Sequence, residues 1–285
     1  MDPIVCTPKR LPPEKLLAAA RRAVEINPHN HVPIERLTRL IPDFQLTPER
    51  IAVVTKRYWG IHGVKLTVGF LDTPPADLRK RIIQHMNAWS KTANVTFVET
   101  KGDAKVRIAR MGGPDGGYWS YLGTEILEIA KNQPTMNLEA FSMSTPESEF
   151  HRVVRHETGH TLGFPHEHMR KTLVAKLDVD KTIAYFERTQ GWSEQEVRDQ
   201  VLTPLEESTL LGTKPDPKSI MCYQIPGEIT KDGKPIIGGL DIDPSDYKFA
   251  AGIYPKKPGA GPKKAVKKHA AAKTKVKKRV PRKKR

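Results

Sequence analysis

His156-Glu157-Thr158-Gly159-His160-Thr161-Leu162-Gly163-Phe164-Pro165-His166-Glu167 is the stretch on which this chain turns. On a helix, the spacing of His156 and His160 is about 400° of rotation and roughly 6 Å of rise, so both imidazoles leave one face, one above the other. That placement suits two ligands of one tetrahedral zinc, with Zn–N bonds of about 2.0–2.1 Å. Glu157 adjoins the first histidine and can act as a general base without ligating the metal. Gly163 tolerates a left-handed backbone, so a helix can end there and the chain can turn back. His166 then returns from the turn as a third ligand. Three protein ligands leave a fourth position open, as in catalytic rather than structural zinc sites. The competing interpretation, a helix with solvated or core histidines, leaves Glu157, Gly163 and His166 unexplained. His168 competes with His166 as third ligand; the spacing favours His166 and leaves His168 at the surface or in support.

The pattern H-E-x-x-H-x-x-G-x-x-H is the metzincin signature. Downstream stands Ser219-Ile220-Met221-Cys222-Tyr223, and with it the sequence resembles the astacin family of metzincin zinc endopeptidases. The resemblance is carried by His156 to Glu167, with Glu directly after the third His, and by the Ser-x-Met-x-Tyr turn. It implies one catalytic Zn2+ on His156, His160 and His166, with Glu157 as the base that moves the proton from water to the leaving amine. Met221 would form the apolar floor beneath the metal, although alone it reads as an ordinary core methionine. Tyr223 would be a fifth, displaceable ligand whose phenol donates to the developing oxyanion. Glu167 would contact the mature N-terminal amine after removal of a pro-segment. Tyr118-Trp119-Ser120-Tyr121-Leu122-Gly123 resembles the family's edge strand along the upper rim of the cleft. Ser120, Tyr121 and Leu122 are therefore candidates to hold a polypeptide substrate by main-chain hydrogen bonds; an aromatic core strand is an equally good reading of the same residues. The fold implied is α+β. A mixed five-stranded sheet and two long helices lie above an active-site cleft, with a mostly irregular or helical lower subdomain. The sequence departs from the family at Cys222, where His is usual. It also has only Cys6 and Cys222, with no disulfide framework.

Charge divides the chain. The net charge is +16 over 285 residues, but residues 256–285 hold 15 Lys or Arg and no Asp or Glu, so the remainder is near neutral. Such a tail is expected to be disordered and to attract polyanions such as nucleic acid without reading sequence. It has no aromatic residue for base stacking. A polyanion-associated protein with a latent or subordinate peptidase domain is thus the alternative function. The N-terminus lacks the apolar core of a signal peptide, and no apolar run approaches a membrane span. A cytoplasmic monomer is the expectation, with leaderless export as the other route.

Residues 1–50 are expected to form a helical extension or pro-segment. A helix follows Pro12-Pro13 and ends at Asn27-Pro28, and a short second helix falls near residues 34–40. Cys6 admits two readings, a thiolate that blocks the zinc or a near-terminal cysteine with no special role; Asp43 is a further candidate blocker. Residues 51–163 form the upper and 164–255 the lower part of the catalytic domain. Strands are expected at 65–70, 94–99, 105–110 and 133–141, and helices at 76–91 and from 147 into the histidine motif. In the lower part, helices are expected at 178–187, after Ser193 with its capping box to Glu196, and near 245–254.

Overall fold

The computed structural model describes residues 6, 9–33, 47–48, 52, 55–167, 171–204, 216–222 and 224–256. Helix α1 (Pro13–Ile26) opens with proline in its first turn, where no amide donor is needed, and buries Ala19, Ala20 and Ala23. Two asparagines fasten its end to the body. Asn27 Nδ2 donates to the Trp59 carbonyl and Asn30 Nδ2 to the Tyr58 carbonyl, both at 2.8 Å. The helix expected at 34–40 lies outside the described residues.

The sheet comprises β1 (Val64–Phe70), β2 (Val95–Glu99), β3 (Val106–Ala109), β4 (Tyr118–Ser120) and β5 (Met136–Leu138), in the order β2-β1-β3-β5-β4. The first four neighbours run parallel, with Val64 opposite Val95, Val68 opposite Val106 and Ile108 opposite Met136. Only β4 runs antiparallel, with Trp119 opposite Asn137 on β5, and it sits at the sheet edge. Central strands β3 and β5 are buried at every position, as strands covered on both faces must be.

Two helical stretches cover the sheet. Helix α2 (Ala76–Met86) buries Leu78, Ile82, His85 and Met86. It does not run unbroken to 91 as its pattern suggests, but tightens into a 3₁₀ turn, Asn87–Lys91. Asn87 causes the change: its side chain bonds the Ile83 carbonyl at 3.0 Å and both the N–H and the carbonyl of Phe97 at 2.9 Å. This ties the helix end to β2 in place of another α-turn. The second stretch begins with a turn at Glu147–Glu149, widens into a π-turn over Phe150–Val154, and continues as α3 (Arg155–Thr161).

Below them, α4 (Val179–Gln190) is capped by Asp178 and ends at Gly191 in a left-handed conformation. Ser193 and Glu196 form the expected reciprocal capping box. Helix α5 (Pro244–Ile253) has a capping box of its own, Asp243 with Asp246. The upper core joins the sheet to α2, α3 and α5 through Leu66, Ile82, Trp89, Phe97, Phe150 and Tyr254. A second cluster, including Leu173, Phe186, Val197, Ile225 and Ile236, holds the lower half and reaches Cys6 and Cys222. Each such side chain, fully buried, contributes about 1.5–3 kcal/mol. Among the described residues no helix is long and apolar enough to cross a membrane.

Candidate metal centre and cleft

Helix α3 carries His156 and His160 one turn apart, with ring centroids 4.7 Å from each other and planes nearly perpendicular. The helix stops at Gly163, whose φ is +92°. A Cβ there would meet the Arg57 carbonyl oxygen and the Tyr58 ring at 3.0 Å, so both the backbone conformation and the space call for glycine. The reversal brings His166 back over the helix. Its Nε2 lies 3.1 Å from His156 Nε2 and 2.9 Å from His160 Nε2.

The outer nitrogens fix the protonation of the inner ones. His156 Nδ1 faces the Ile220 carbonyl at 2.6 Å, and His160 Nδ1 faces the Phe164 carbonyl at 2.8 Å. A carbonyl only accepts, so both Nδ1 atoms carry the proton and both Nε2 atoms turn lone pairs inward. Burial drives His156 down to about 4, so its ring is neutral. A proton on His166 Nε2 can satisfy only one of its two neighbours. The convergence of these donors in a dry site calls for a cation among them. Ideal tetrahedral zinc sets its nitrogens roughly 3.3 Å apart, close to the spacing observed, so the residues present fit zinc.

Glu157 is almost fully buried beside this group, and burial pushes its carboxyl up to about 8. It stands outside the set of converging ligand atoms, which comprises Cys6, His156, His160 and His166, all within 4.8 Å of one another. Cys6 Sγ also donates to Glu157 Oε2 at 3.5 Å. Of the two sequence readings of Cys6, the arrangement therefore favours the one that brings it to the centre.

Beneath the histidines, Met221 is buried with its sulfur against α3. A Cβ on Gly159 would come within 2.4 Å of Met221 Sδ, so the glycine between the two histidines admits the methionine. Asp246 clamps this turn from below. Its carboxylate accepts from Ser219 Oγ at 2.6 Å, from Ile220 N at 2.9 Å and from Asp243 N at 3.1 Å. The same Ile220 residue offers its carbonyl to His156, so Asp246 positions a histidine it does not touch. Sequence reasoning missed Asp246; its only signal was a second acid three residues after Asp243. Burial pushes Asp246 up to about 6 despite these donors. The Glu167 amide donates to the Met221 carbonyl at 2.8 Å, and its Oε1 accepts from Asp216 N at 3.0 Å. Tyr223, His168 and Asp43 lie outside the described residues.

Along the rim, Ser120 turns inward and its hydroxyl lies 3.1 Å from Thr161 Oγ1, joining β4 to the zinc helix. The Tyr121 amide donates to the Thr135 carbonyl at 3.1 Å, and Leu122 is half-buried. Ser120 Oγ also donates to the Tyr121 carbonyl at 3.0 Å, so both main-chain groups of Tyr121 already hold partners within the chain. His85, Glu147 and His151 also converge, with Glu147 Oε1 at 3.1 and 3.4 Å from the two rings. Arg81 pairs with the same carboxylate at 2.6 Å and the Arg155 guanidinium lies 3.3 Å from both rings, so this cluster already holds its cations.

A sequence model of the astacin peptidase family matches residues 55–237. Zinc metalloproteinase nas-27 of Caenorhabditis elegans is 32% identical over 96 residues, covering 34% of this chain and 20% of that protein. The chain thus spans about a fifth of the length of this curated relative. One solved structure of myroilysin is 32% identical with a TM-score of 0.66, covering 70% of this chain and 97% of that one. A second gives 32% identity and a TM-score of 0.54, over 70% and 86% of the two chains. The chain belongs to the astacin family of zinc metalloendopeptidases.

Proposed function

We propose that this chain hydrolyses peptide bonds of polypeptides at a single zinc held by His156, His160 and His166. The observation that carries the assignment is the set of three Nε2 atoms turned on one another while two Nδ1 atoms are committed to the Ile220 and Phe164 carbonyls. Zinc in that position supplies Lewis acidity to the attacking water and the scissile carbonyl. Glu157 takes the proton of the water and returns it to the leaving amine. Its burial keeps bulk water from competing for that proton. Met221 packs under the centre and holds α3 against the turn. Tyr223, by family resemblance, donates to the carbonyl oxygen as charge develops there. The main chain from Ser120 to Leu122 offers an edge on which an extended peptide can lie.

The test is Glu157→Gln. The variant should bind zinc as the wild type does and lose hydrolysis of casein or a quenched peptide; comparable hydrolysis by the variant would overturn the assignment. We further propose, on charge alone, that the tail at 256–285 holds polyanions without sequence preference. Retention on DNA that weakens steeply with salt and disappears on removal of 256–285 is the expected result. Retention unaffected by that removal would overturn it.

A further inference from the structure

We propose that a cavity beside Arg107, on the face of β1 turned away from the upper core, binds a small organic phosphate. The cavity has a volume of about 780 Å³ and shares no residue with the metal centre. Volumes of roughly 300–1,000 Å³ suit small-molecule ligands. Thr67 and Gly69 line it, alternating along β1 with Leu66 and Val68, which face the core. Gly69 lets the loop at 100–105 lie close over the strand, since a Cβ there would meet Ala104 Cβ at 2.8 Å. That loop, the segment at 126–131 and Arg22 of α1 complete the lining.

Charge selects the ligand. Six cations and three acids line the cavity, an excess of three positive charges. Arg79 pairs with Glu99, Lys131 with Asp103, Asp72 with Arg110, and Arg22 with Glu128. Lys101, Lys105 and Arg107 are left with no carboxylate partner among the described residues. Lys105 has only the Trp59 ring, 5.7 Å from its ammonium. Arg107 is 7% exposed, and its guanidinium donates to carbonyls alone. Nε reaches Gln133 at 2.7 Å, Nη1 reaches Ala104 and Lys105 at 3.2 Å, and Nη2 reaches Ile129 at 3.1 Å. Four of its five N–H donors are thereby used, and one Nη2 hydrogen has no acceptor among the described residues. Carbonyls satisfy hydrogen bonds but leave the charge unpaired, and buried charges are normally paired. Burial pushes the Arg107 pKa down, with no acid opposing it. A dianionic phosphate supplies the missing counter-charge more fully than a carboxylate. Three unpaired cations suit one such group rather than a polymer's run of charge. Phe70 and Leu127, both half-buried in the lining, offer apolar surface to the organic part. A purely structural role for Arg107, tying 104–105 to 129–133, leaves the two lysines and the open volume unexplained.

The experiment is hydrogen exchange read by mass spectrometry on the zinc-loaded full chain titrated with phenyl phosphate, as wild type, as Lys101→Ala with Lys105→Ala, and as Arg107→Gln. In the wild type, amides at 99–105 and 126–131 should gain protection that saturates with the ligand. Both lysines are exposed, so their loss leaves the fold intact, and it should raise the dissociation constant about tenfold or more. Arg107→Gln should lose the protection; where that variant fails to fold, the lysine variant decides. No protection of these segments at millimolar phenyl phosphate, or an affinity unchanged in the lysine variant, would overturn the proposal. Protection confined to the metal centre would assign the phosphate to the zinc, and protection by an oligonucleotide alone would assign the surface to nucleic acid. Either result also overturns it.

Discussion

Replacing Asp246 by alanine should weaken zinc binding from a distance. The change removes a charged acceptor from two buried donors, the Ile220 amide and the Ser219 hydroxyl. Each such bond to a charged group is worth about 1.5–3 kcal/mol. The carboxylate also carries a cost, because its pKa stands at about 6 against 3.8, which is roughly 3 kcal/mol of disfavoured ionisation at neutral pH. Two such bonds, together about 3–6 kcal/mol, outweigh that cost only in part, and the net loss of folding stability should be about 0–3 kcal/mol. The local effect is larger in proportion. The Ile220 carbonyl that orients His156 sits on the residue whose amide Asp246 holds, and losing such outer support typically costs about 10–100-fold in metal affinity. Urea unfolding of the chelated protein measures the first quantity, and competition with a fluorescent chelator measures the second. Asp246→Asn should retain most of both, since its carbonyl can keep the Ile220 amide while its amino group turns to Ser219 Oγ. An Asp246→Ala protein with unchanged zinc affinity would refute this account of how His156 is held.

Asp246 also sets a pH dependence. In the unfolded chain it ionises near 3.8 and in the folded protein near 6, so the folded state loses roughly 3 kcal/mol as pH rises through that window and loses nothing further above it. Chelated wild type should therefore gain stability relative to chelated Asp246→Asn between pH 7 and pH 4, as read from urea midpoints. Gly163→Ala must hold alanine at φ +92° against the Arg57 carbonyl; a loss of about 1–3 kcal/mol is expected in thermal or urea unfolding. Glu125→Ala leaves the Arg57 guanidinium buried without its partner at 3.0 Å, and breaking such a pair costs about 3–5 kcal/mol, again read from urea unfolding. Zinc at about 100 times its dissociation constant should stabilise the chain by about 2.7 kcal/mol, a rise in melting temperature that excess chelator abolishes.

The metal centre was legible because its chemistry is local. His156, Glu157, His160, Gly163 and His166 fall within about three helical turns, where spacing translates directly into direction. Strand β1 was legible for a similar reason, since a half-buried strand writes its alternation into Val64, Leu66 and Val68. The π-turn at Phe150–Val154 left no trace, because one extra residue in a turn does not change which residues are apolar. Asn87 reads as a polar residue late in a helix until Phe97 is seen beside it. Asp246 reads as an acid that complements a helix N-terminus, and only the long-range approach of Ile220 makes it a clamp. Cys6 was open to two readings because it lies far from the histidine motif in sequence, 151 residues from Glu157, and no local pattern spans that distance.

The four tryptophans are distributed over three parts of the molecule, two of them against the helix that carries His156 and His160. The Trp89 indole donates to the carbonyl of Arg155 and the Trp59 indole to that of Thr161, both at 2.9 Å, at the first and last residues of the zinc helix. Trp119 lies beneath the Lys9 ammonium at the N-terminal segment, and Trp192 stacks on Phe186 in the lower half. The protein thus carries intrinsic fluorophores at the metal-bearing helix, the N-terminal segment and the distal core. A single-tryptophan form retaining Trp119 would make displacement of the segment visible as an optical signal, separable in time from any change at the metal.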